Sequence, residues 1–265
     1  IDPSNEEICA EISLGGKKDV DKAVSSAKKA FETWAFSKKE ERLDLLEKLY
    51  VVYKKRWAEM AKLISLEMGA PMKFSTEMQA ATGASHIKSF KNILKDFKFE
   101  KDLGEEKNNQ KLLYEPKGVC ALITPWNWPI NQVNLKVIPA LASACTVILK
   151  PSEIAPLSSM LLAEMIDEVK FPSGVFNLVN GDGETTGDTS TSHPDVNMIS
   201  FTGSTRAGAL ISQNAAKDFK RVSLELGGKG ANIIFKDADP EAIERGALRC
   251  FRNSGQSCNA PTRML

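Results

Sequence analysis

The sequence has few residues that bind metals and no pattern that would organise them. There are two histidines, His86 and His193, and five widely spaced cysteines with no Cys-x-x-Cys pair. This spacing predicts that no metal is bound, and the odd number of cysteines argues against a disulfide framework. Free cysteines are typical of reducing compartments, so we expect a cytoplasmic protein.

Long apolar runs and an excess of charge are also missing. The longest apolar stretch, residues 137–149, is interrupted by Pro139 and small residues and does not suit a membrane span. The first seven residues lack the basic and apolar regions of a signal peptide. The formal net charge of +1 gives no reason to expect nucleic acid or an acidic membrane as partner. With no initiator Met and an apolar end at Leu265, we expect a part of a longer protein.

What remains is a composition suited to a buried core, with 42% apolar and 26% charged residues in a chain of 265. Apolar residues recur at three- and four-residue spacing over residues 20–34, which predicts a helix that Asp19 can cap. The same spacing predicts a second helix over residues 43–64 and a third over residues 73–93.

The chain then changes pattern. The polar segment 98–117 predicts an exposed loop or a protruding hairpin that turns near Asn108-Asn109. Beyond it, short apolar runs alternate with helical segments, which is typical of βαβ units. We therefore predict an α/β fold with a Rossmann-like parallel sheet and flanking helices. The predicted strands cover residues 118–124, 146–149, 175–179, 197–201 and 221–226.

Ligands of parallel sheets bind at the carboxyl ends of the strands, so the residues after each run are the candidates for a site. After the first run, Pro125 and Pro129 restrict the backbone on both sides of Asn127. An amide held there could donate to a developing negative charge. A loop packed by Trp126 and Trp128 would explain the same residues.

The next two strand ends suggest contacts to a nucleotide. Lys150 and Glu153 could grip ribose hydroxyls, or could belong to a solvated turn that caps the next helix. The Gly-rich segment 180–187 resembles the dinucleotide fingerprint but has one residue too many between its glycines. A plain Gly-rich turn explains that segment equally well.

The fourth run leads through Gly203 and Ser204 into a helix. Backbone N–H groups and a hydroxyl at a helix N-terminus suit a pyrophosphate, although Ser204 could equally be a simple N-cap. Gly203 and Gly208 have the spacing of a P-loop, but Ala209 stands where the lysine must be. An ATP-hydrolysing site is therefore excluded.

The last two candidates are Glu225 and Cys258. Glu225 ends an apolar run, where loss of hydration would make the carboxylate a stronger base, unless it is a surface group paired with Lys229. Cys258 lies in a polar, Gly-containing loop, whereas structural cysteines favour apolar surroundings such as those of Cys120 and Cys145. Cys258 is thus a candidate nucleophile, with a structural role as the alternative.

Taken together, the order of these motifs resembles the aldehyde dehydrogenase superfamily. The resemblance covers the whole chain and about the first half of a typical member. It rests on Pro125–Pro129, Lys150–Glu153, Phe201–Thr205, Glu225–Lys229 and Gly255–Cys258.

The resemblance implies an NAD(P)-dependent oxidation of a small-molecule aldehyde to a carboxylate. Cys258 would attack as a thiolate, Asn127 and the Cys258 N–H would stabilise the oxyanion, and Glu225 would activate water to hydrolyse the thioester. NAD is expected because the Glu153 carboxylate suits a free 2′-hydroxyl, with NADP as the alternative. The implied cofactor-binding residues are Ile123, Thr124, Pro125, Trp126, Lys150, Ser152, Glu153, Gly183, Phe201, Thr202, Gly203, Ser204, Leu226 and Gly227.

The resemblance also implies a division of the chain. Residues 1–97 and 118–226 would form a discontinuous NAD-binding domain, and residues 98–117 an oligomerisation hairpin in a homodimer or homotetramer. Residues 227–265 would begin a catalytic domain that continues beyond the chain, so this part alone is expected to be inactive.

One segment departs from the family pattern, and two other functions stay open. Polar residues 187–192 replace what is usually a more apolar helical turn near the adenine. A CoA-acylating relative would pass the acyl group to CoA instead of water, but such relatives often lack the base. A non-catalytic dinucleotide-binding scaffold would not need Cys258, Asn127 and Glu225 together.

Overall fold

The computed structural model describes residues 1–104 and 110–265. No helix within these two ranges has both the length and the apolar character needed to cross a membrane. The α-helices are α1 (Lys17–Trp34), α2 (Lys39–Lys55), α3 (Trp57–Met68), α4 (Met72–Phe74), α5 (Ala80–Asp96), α6 (Pro129–Ala142), α7 (Leu157–Glu168), α8 (Asp188–Ser192), α9 (Thr205–Ala216) and α10 (Ala242–Phe251).

A five-stranded parallel sheet lies at the centre of the fold and confirms the predicted α/β class. Its order is β5-β4-β3-β6-β7. The first crossover runs through α6 between adjacent strands, and the chain reverses direction across the sheet between β5 and β6. The strands are β3 (Val119–Ile123), β4 (Thr146–Lys150), β5 (Phe176–Leu178), β6 (Met198–Gly203) and β7 (Arg221–Leu226).

Both faces of the central strands are buried, which explains their continuous apolar sequences. On β3, Cys120 and Leu122 face a large core formed with α2, α3, α5, α6 and α7. The alternate residues Val119, Ala121 and Ile123 face a smaller core formed with α1 and α9. Helices therefore cover the sheet on both sides, and its carboxyl edge is left for a site.

The early helices are more divided than their apolar spacing predicts. The predicted second helix is broken at Arg56, whose side chain pairs with Glu59 at 2.7 Å and with Glu164 of α7 at 2.8 Å. The predicted third helix comprises α4, a π-helical turn over Ser75–Gln79 and α5. Asp19 stabilises the start of α1 from its third residue, where it accepts a hydrogen bond from the Gly16 N–H at 2.9 Å.

A buried carboxylate joins α3 to α7. Glu67 is 3% exposed and accepts hydrogen bonds from the backbone N–H groups of Leu157 at 2.5 Å and Ser158 at 3.2 Å. These groups lie in the first turn of α7 and have no partner inside that helix. Burial raises the pKa of Glu67 to about 7, against a usual value of 4.5.

The polar segment forms the hairpin that was one of its two predicted structures. Strands β1 (Glu100–Asp102) and β2 (Lys111–Leu113) pair antiparallel, with Lys101 opposite Leu112. The predicted turn at Asn108-Asn109 lies outside the described residues. Leu103, Leu112, Leu113 and Tyr114 are all exposed on this hairpin.

The end of the chain is open to solvent. Strand β7 is exposed along most of its length, so the predicted burial of Glu225 in an apolar strand is wrong for this chain. The reason is its place at the edge of the sheet, next to β6 only. Beyond it, β8 (Ala231–Asn232) pairs in parallel with β9 (Arg263–Met264), and several apolar side chains of α10 are exposed.

Candidate active site

A cleft of about 610 Å³ opens at the carboxyl edge of the sheet. The ends of β3, β4, β6 and β7 lie side by side there, because parallel strands all point to the same edge. The cleft brings together all seventeen predicted site residues, although they come from distant parts of the sequence. These are Ile123, Thr124, Pro125, Trp126, Asn127, Lys150, Ser152, Glu153, Gly183, Phe201, Thr202, Gly203, Ser204, Glu225, Leu226, Gly227 and Cys258.

Lys150 and Glu153 form an ion pair in the floor of this cleft. The Lys150 ammonium donates to the Glu153 carboxylate at 2.8 Å. The Lys150 side chain is 6% exposed and that of Glu153 42%. A solvated turn would leave both side chains in water, so the buried lysine argues against that alternative. The pair presents one donor group and one acceptor group to a ligand.

The walls of the cleft have unused space and unused hydrogen-bonding groups. The hydroxyls of Thr124 and Thr202 are buried without a hydrogen-bond partner among the described residues. A Cβ atom at Gly183 or Gly227 would meet no described protein atom within 4 Å. These features allow a ligand to approach the backbone closely and to bond to the two threonines.

Two other glycines are explained by packing. A Cβ at Gly203 would lie 2.4 Å from the Phe201 ring, and one at Gly181 would lie 1.9 Å from the Thr186 hydroxyl. Ser204 accepts a hydrogen bond from the Ala207 N–H at 3.2 Å and is therefore the N-cap of α9. Its hydroxyl proton remains able to donate to a ligand.

Asn127 connects the first strand end to the cysteine loop. Its Nδ2 donates to the Gln256 carbonyl at 2.7 Å, and the Trp128 ring N–H donates to the Ser257 hydroxyl at 2.7 Å. The backbone carbonyl of Asn127 accepts from Asn253 Nδ2 at 2.9 Å. An amide has two N–H bonds, so one of those on Asn127 remains for a ligand at the cysteine.

Cys258 is exposed, and its thiol lies beside the Glu225 carboxylate. Desolvation, the negative charge of Glu225 and a hydrogen bond to it raise the pKa of the Cys258 thiol. The resting form at neutral pH is therefore the thiol, which must lose its proton before the sulfur can attack as the thiolate that the resemblance implies. The neighbouring carboxylate is an acceptor for its proton.

Two residues around the cysteine were not predicted. Lys136 of α6 donates to the Ser200 hydroxyl at 3.0 Å and lines a second cavity, of about 700 Å³, together with Glu225 and Cys258. Burial lowers the pKa of Lys136 to about 8, although the Glu225 charge opposes this. The signal in the sequence was that Lys136 is the one charged residue of α6.

Gln79 is the second residue that the sequence did not reveal. It is buried and donates from Nε2 to the Asn127 carbonyl at 3.3 Å and to Asn253 Oδ1 at 3.1 Å. A polar residue in a helix does not by itself indicate that its side chain will bridge two distant segments. Gln79 thus supports the contact between the Asn127 segment and the cysteine loop.

A third cavity, of about 340 Å³, continues the cleft away from Cys258. It shares Ile123, Gly183 and Phe201 with the cleft and lies between α8 and α9. We call it the α8–α9 pocket. Its further lining residues are Glu184, Gly187, Asp188, Thr191, Arg206, Ala207, Leu210, Ile211 and Asn214.

Comparison with known proteins gives the class of this chain. The model of the aldehyde dehydrogenase family matches residues 1–265, and the chain belongs to that family. It is 52% identical to a 3-succinoylsemialdehyde-pyridine dehydrogenase of a Pseudomonas species, with all of this chain and 55% of that protein covered. The chain spans about half the length of the curated relatives it matches.

Solved structures agree in fold. An aldehyde dehydrogenase of Bartonella henselae has a TM-score of 0.97 at 61% identity, with 100% of this chain and 56% of the other covered. An aldehyde dehydrogenase of Pseudomonas syringae, solved as a cysteine-to-alanine mutant with NAD⁺ and octanal, has a TM-score of 0.96 at 45% identity. This chain is covered completely in that comparison, and 54% of the other.

Proposed function

We propose that the protein containing this chain oxidises an aldehyde to a carboxylate with NAD, using Cys258 as nucleophile. The observation that carries the proposal is that the Cys258 thiol lies beside the Glu225 carboxylate in the cleft that Asn127 also lines. The NAD⁺ and octanal bound to the Pseudomonas syringae relative support the same cofactor and substrate class.

The cleft fits a dinucleotide along its length. Lys150 and Glu153 would hold the adenosine ribose, and Gly203 and Ser204, at the start of α9, would contact the pyrophosphate. The α8–α9 pocket, next along the cleft, would hold the adenine. The open space at Gly227 beside Cys258 would take the nicotinamide. Glu153 would accept from a free 2′-hydroxyl and repel a 2′-phosphate, which favours NAD over NADP.

The side chains around Cys258 suit each step of the oxidation. Glu225 accepts the thiol proton as the sulfur attacks the carbonyl carbon, and the free N–H of Asn127 and the Cys258 backbone N–H donate to the oxyanion. A nicotinamide bound in the cleft would supply the acceptor for the hydride that leaves the tetrahedral carbon. Glu225 first releases the thiol proton to solvent and then takes a proton from the water that attacks the thioester carbon. The carbon–sulfur bond breaks, which releases the carboxylate and leaves Cys258 as a thiolate.

The position of Glu225 also separates this function from its alternatives. A CoA-acylating enzyme transfers the acyl group to a thiol and has no need of a water-activating base. A dinucleotide-binding scaffold has no need of a carboxylate beside an exposed thiol. The geometry therefore favours hydrolysis by water.

The test is labelling of the intact protein with iodoacetamide, followed by mass spectrometry of each cysteine peptide. We expect Cys258 to react faster than the partly exposed Cys250 and to be protected by NAD. Cys258→Ser should abolish aldehyde-dependent NADH formation, whereas the matched Cys250→Ser should retain it. Equal labelling without protection, or activity in Cys258→Ser, would contradict the proposal. A panel of aliphatic, aromatic and semialdehyde substrates then defines the specificity.

We also propose a homodimer or homotetramer that assembles through the hairpin of β1 and β2, in the cytoplasm. Four exposed apolar side chains on this hairpin, Leu103, Leu112, Leu113 and Tyr114, support a contact surface. The five cysteines are all free thiols, which supports a reducing compartment. Sedimentation of the intact protein with Leu113→Lys tests the assembly, and an unchanged mass would contradict it.

A further inference from the structure

The α8–α9 pocket has a polar wall that the proposed chemistry does not use. Asn214 Nδ2 donates to Asp188 Oδ1 at 2.8 Å and to the Thr191 hydroxyl at 3.2 Å. Thr191 in turn donates to the Asp188 carbonyl at 3.1 Å. Both N–H bonds of Asn214 are used, so its amide and the Asp188 carboxylate are held in one mutual orientation.

The second carboxylate oxygen of Asp188 is available to a ligand. Asp188 is exposed and lines the pocket, and none of the described residues donates a hydrogen bond to its Oδ2. An ionised carboxylate is an acceptor only. The wall therefore presents an acceptor, fixed from behind by Asn214, to whatever occupies the pocket.

We infer that Asp188, positioned by Asn214, selects adenine over 6-oxopurines by accepting a hydrogen bond from the 6-amino group. Adenine carries an amino donor at this position, whereas guanine carries a carbonyl acceptor, as does hypoxanthine. Two acceptors facing each other repel, so the pocket discriminates at this single atom. The inference rests on the proposed function, because it takes the occupant of the pocket to be the adenine of the cofactor.

The same contacts give a function to the polar segment 187–192, which departs from the family pattern. Asp188 and Thr191 of this segment and Asn214 of the neighbouring helix form one hydrogen-bonded group. In a polar turn that binds no ligand, water could satisfy the hydrogen bonds of the outward-facing side chains. Here its side chains bond across to α9 and border a cavity.

Calorimetric titration of the intact protein with NAD⁺ and with nicotinamide hypoxanthine dinucleotide tests the inference. We expect NAD⁺ to bind about tenfold more tightly, the effect of one hydrogen bond to a charged group at an exposed site. Asp188→Asn is expected to reverse the preference. Asn214 can only donate from Nδ2, so it will pair with the oxygen of the new amide and turn the amide nitrogen, a donor, toward the base.

Two more variants separate the hydrogen bond from other effects. Glu184→Gln removes an equal charge from the same pocket and should change the ratio of the two dissociation constants by less than twofold. Asn214→Ala, which removes the positioning group, should reduce the ratio by about threefold without reversing it.

The outcomes distinguish this inference from the proposed function. Equal affinity for the two dinucleotides in the unchanged protein would overturn the inference and leave the proposed function standing. An unaltered preference for NAD⁺ in Asp188→Asn would also overturn the inference. The same holds if Glu184→Gln changes the ratio of the dissociation constants as much as Asp188→Asn does. If neither dinucleotide binds, the proposed function fails and the inference fails with it.

Discussion

The proposed preference for NAD over NADP depends on the charge of Glu153, which Glu153→Gln removes without changing the shape of the side chain. The Lys150 side chain is only 6% exposed and donates to Glu153, so its acceptor must be kept. Glutamine keeps an acceptor oxygen there. Alanine would leave the buried lysine without a hydrogen-bond partner, which destabilises the folded protein. The variant thus isolates the effect of charge on a bound 2′-phosphate.

The size of this effect follows from the exposure of the carboxylate. Two unit charges about 5 Å apart interact by about 0.8 kcal/mol in water and by about 3 kcal/mol at an effective dielectric constant of about 20. The Glu153 side chain is 42% exposed, which places the site near the lower value. Since a 2′-phosphate carries nearly two charges, we expect a penalty of about 1.5 to 3 kcal/mol, or about 10- to 100-fold in affinity.

The assay is the ratio of kcat/KM for NADP to that for NAD in the intact protein. The ratio should be below one and should rise at least tenfold in Glu153→Gln, with a smaller rise at high salt because the charges are already screened. The exposed Glu168, on α7, provides the matched control Glu168→Gln, which should leave the ratio unchanged. A ratio above one before mutation, or no change in Glu153→Gln, would refute the reasoning.

Three further predictions concern ionisable groups. Glu225→Gln should lower the pKa of Cys258, because a negative charge that raises it is lost. Alkylation of Cys258 at pH 7 should then be severalfold faster. In the aldehyde assay of this variant, NADH should appear as a burst followed by slow turnover. Lys136→Gln should remove an inflection near pH 8 from the pH profile of kcat/KM, which reports groups of the free protein, since burial places the pKa of Lys136 there. An unchanged profile would show that the titration of Lys136 does not affect the reaction. Glu67→Gln tests stability: the folded state keeps a proton on Glu67 up to a pKa of about 7, whereas the unfolded chain loses it near 4.5. As the pH falls from 8 to 5, the free energy of unfolding in urea should therefore rise by up to about 3 kcal/mol more in the unchanged protein than in the variant. A difference between the two proteins that stays constant with pH would contradict this.

The sequence was sufficient for the sheet because burial on both faces leaves a direct signal. Strand β3 is apolar at every position and β4 at every position but its ends. Short apolar runs of this kind between helical segments allow few other topologies. The break at Arg56 left no such signal. Apolar residues continue at helical spacing through Tyr53, Trp57 and Met60, and ion pairs to other residues accompany the break.

The location of the site could be predicted, but its electrostatics could not. Parallel strands bring their ends to one edge, so residues as distant as Ile123 and Leu226 had to meet. The exposure of Glu225 depends on β7 being an edge strand. The sequence of a single strand does not determine its position in the sheet. The partly buried Lys136 and the neighbours of the Cys258 thiol depend in the same way on packing between distant segments.

The hydrogen bond from Asn127 to the Gln256 carbonyl joins two tasks in one amide group. One N–H bond holds the loop that carries Cys258, and in the proposed reaction the other would donate to the oxyanion that forms when Cys258 attacks. Replacing Asn127 would therefore disturb the ground-state position of Cys258 together with the transition state. In a double-mutant cycle, losses at 127 and 258 should not add, and no single substitution at Asn127 can assign a separate energy to either task.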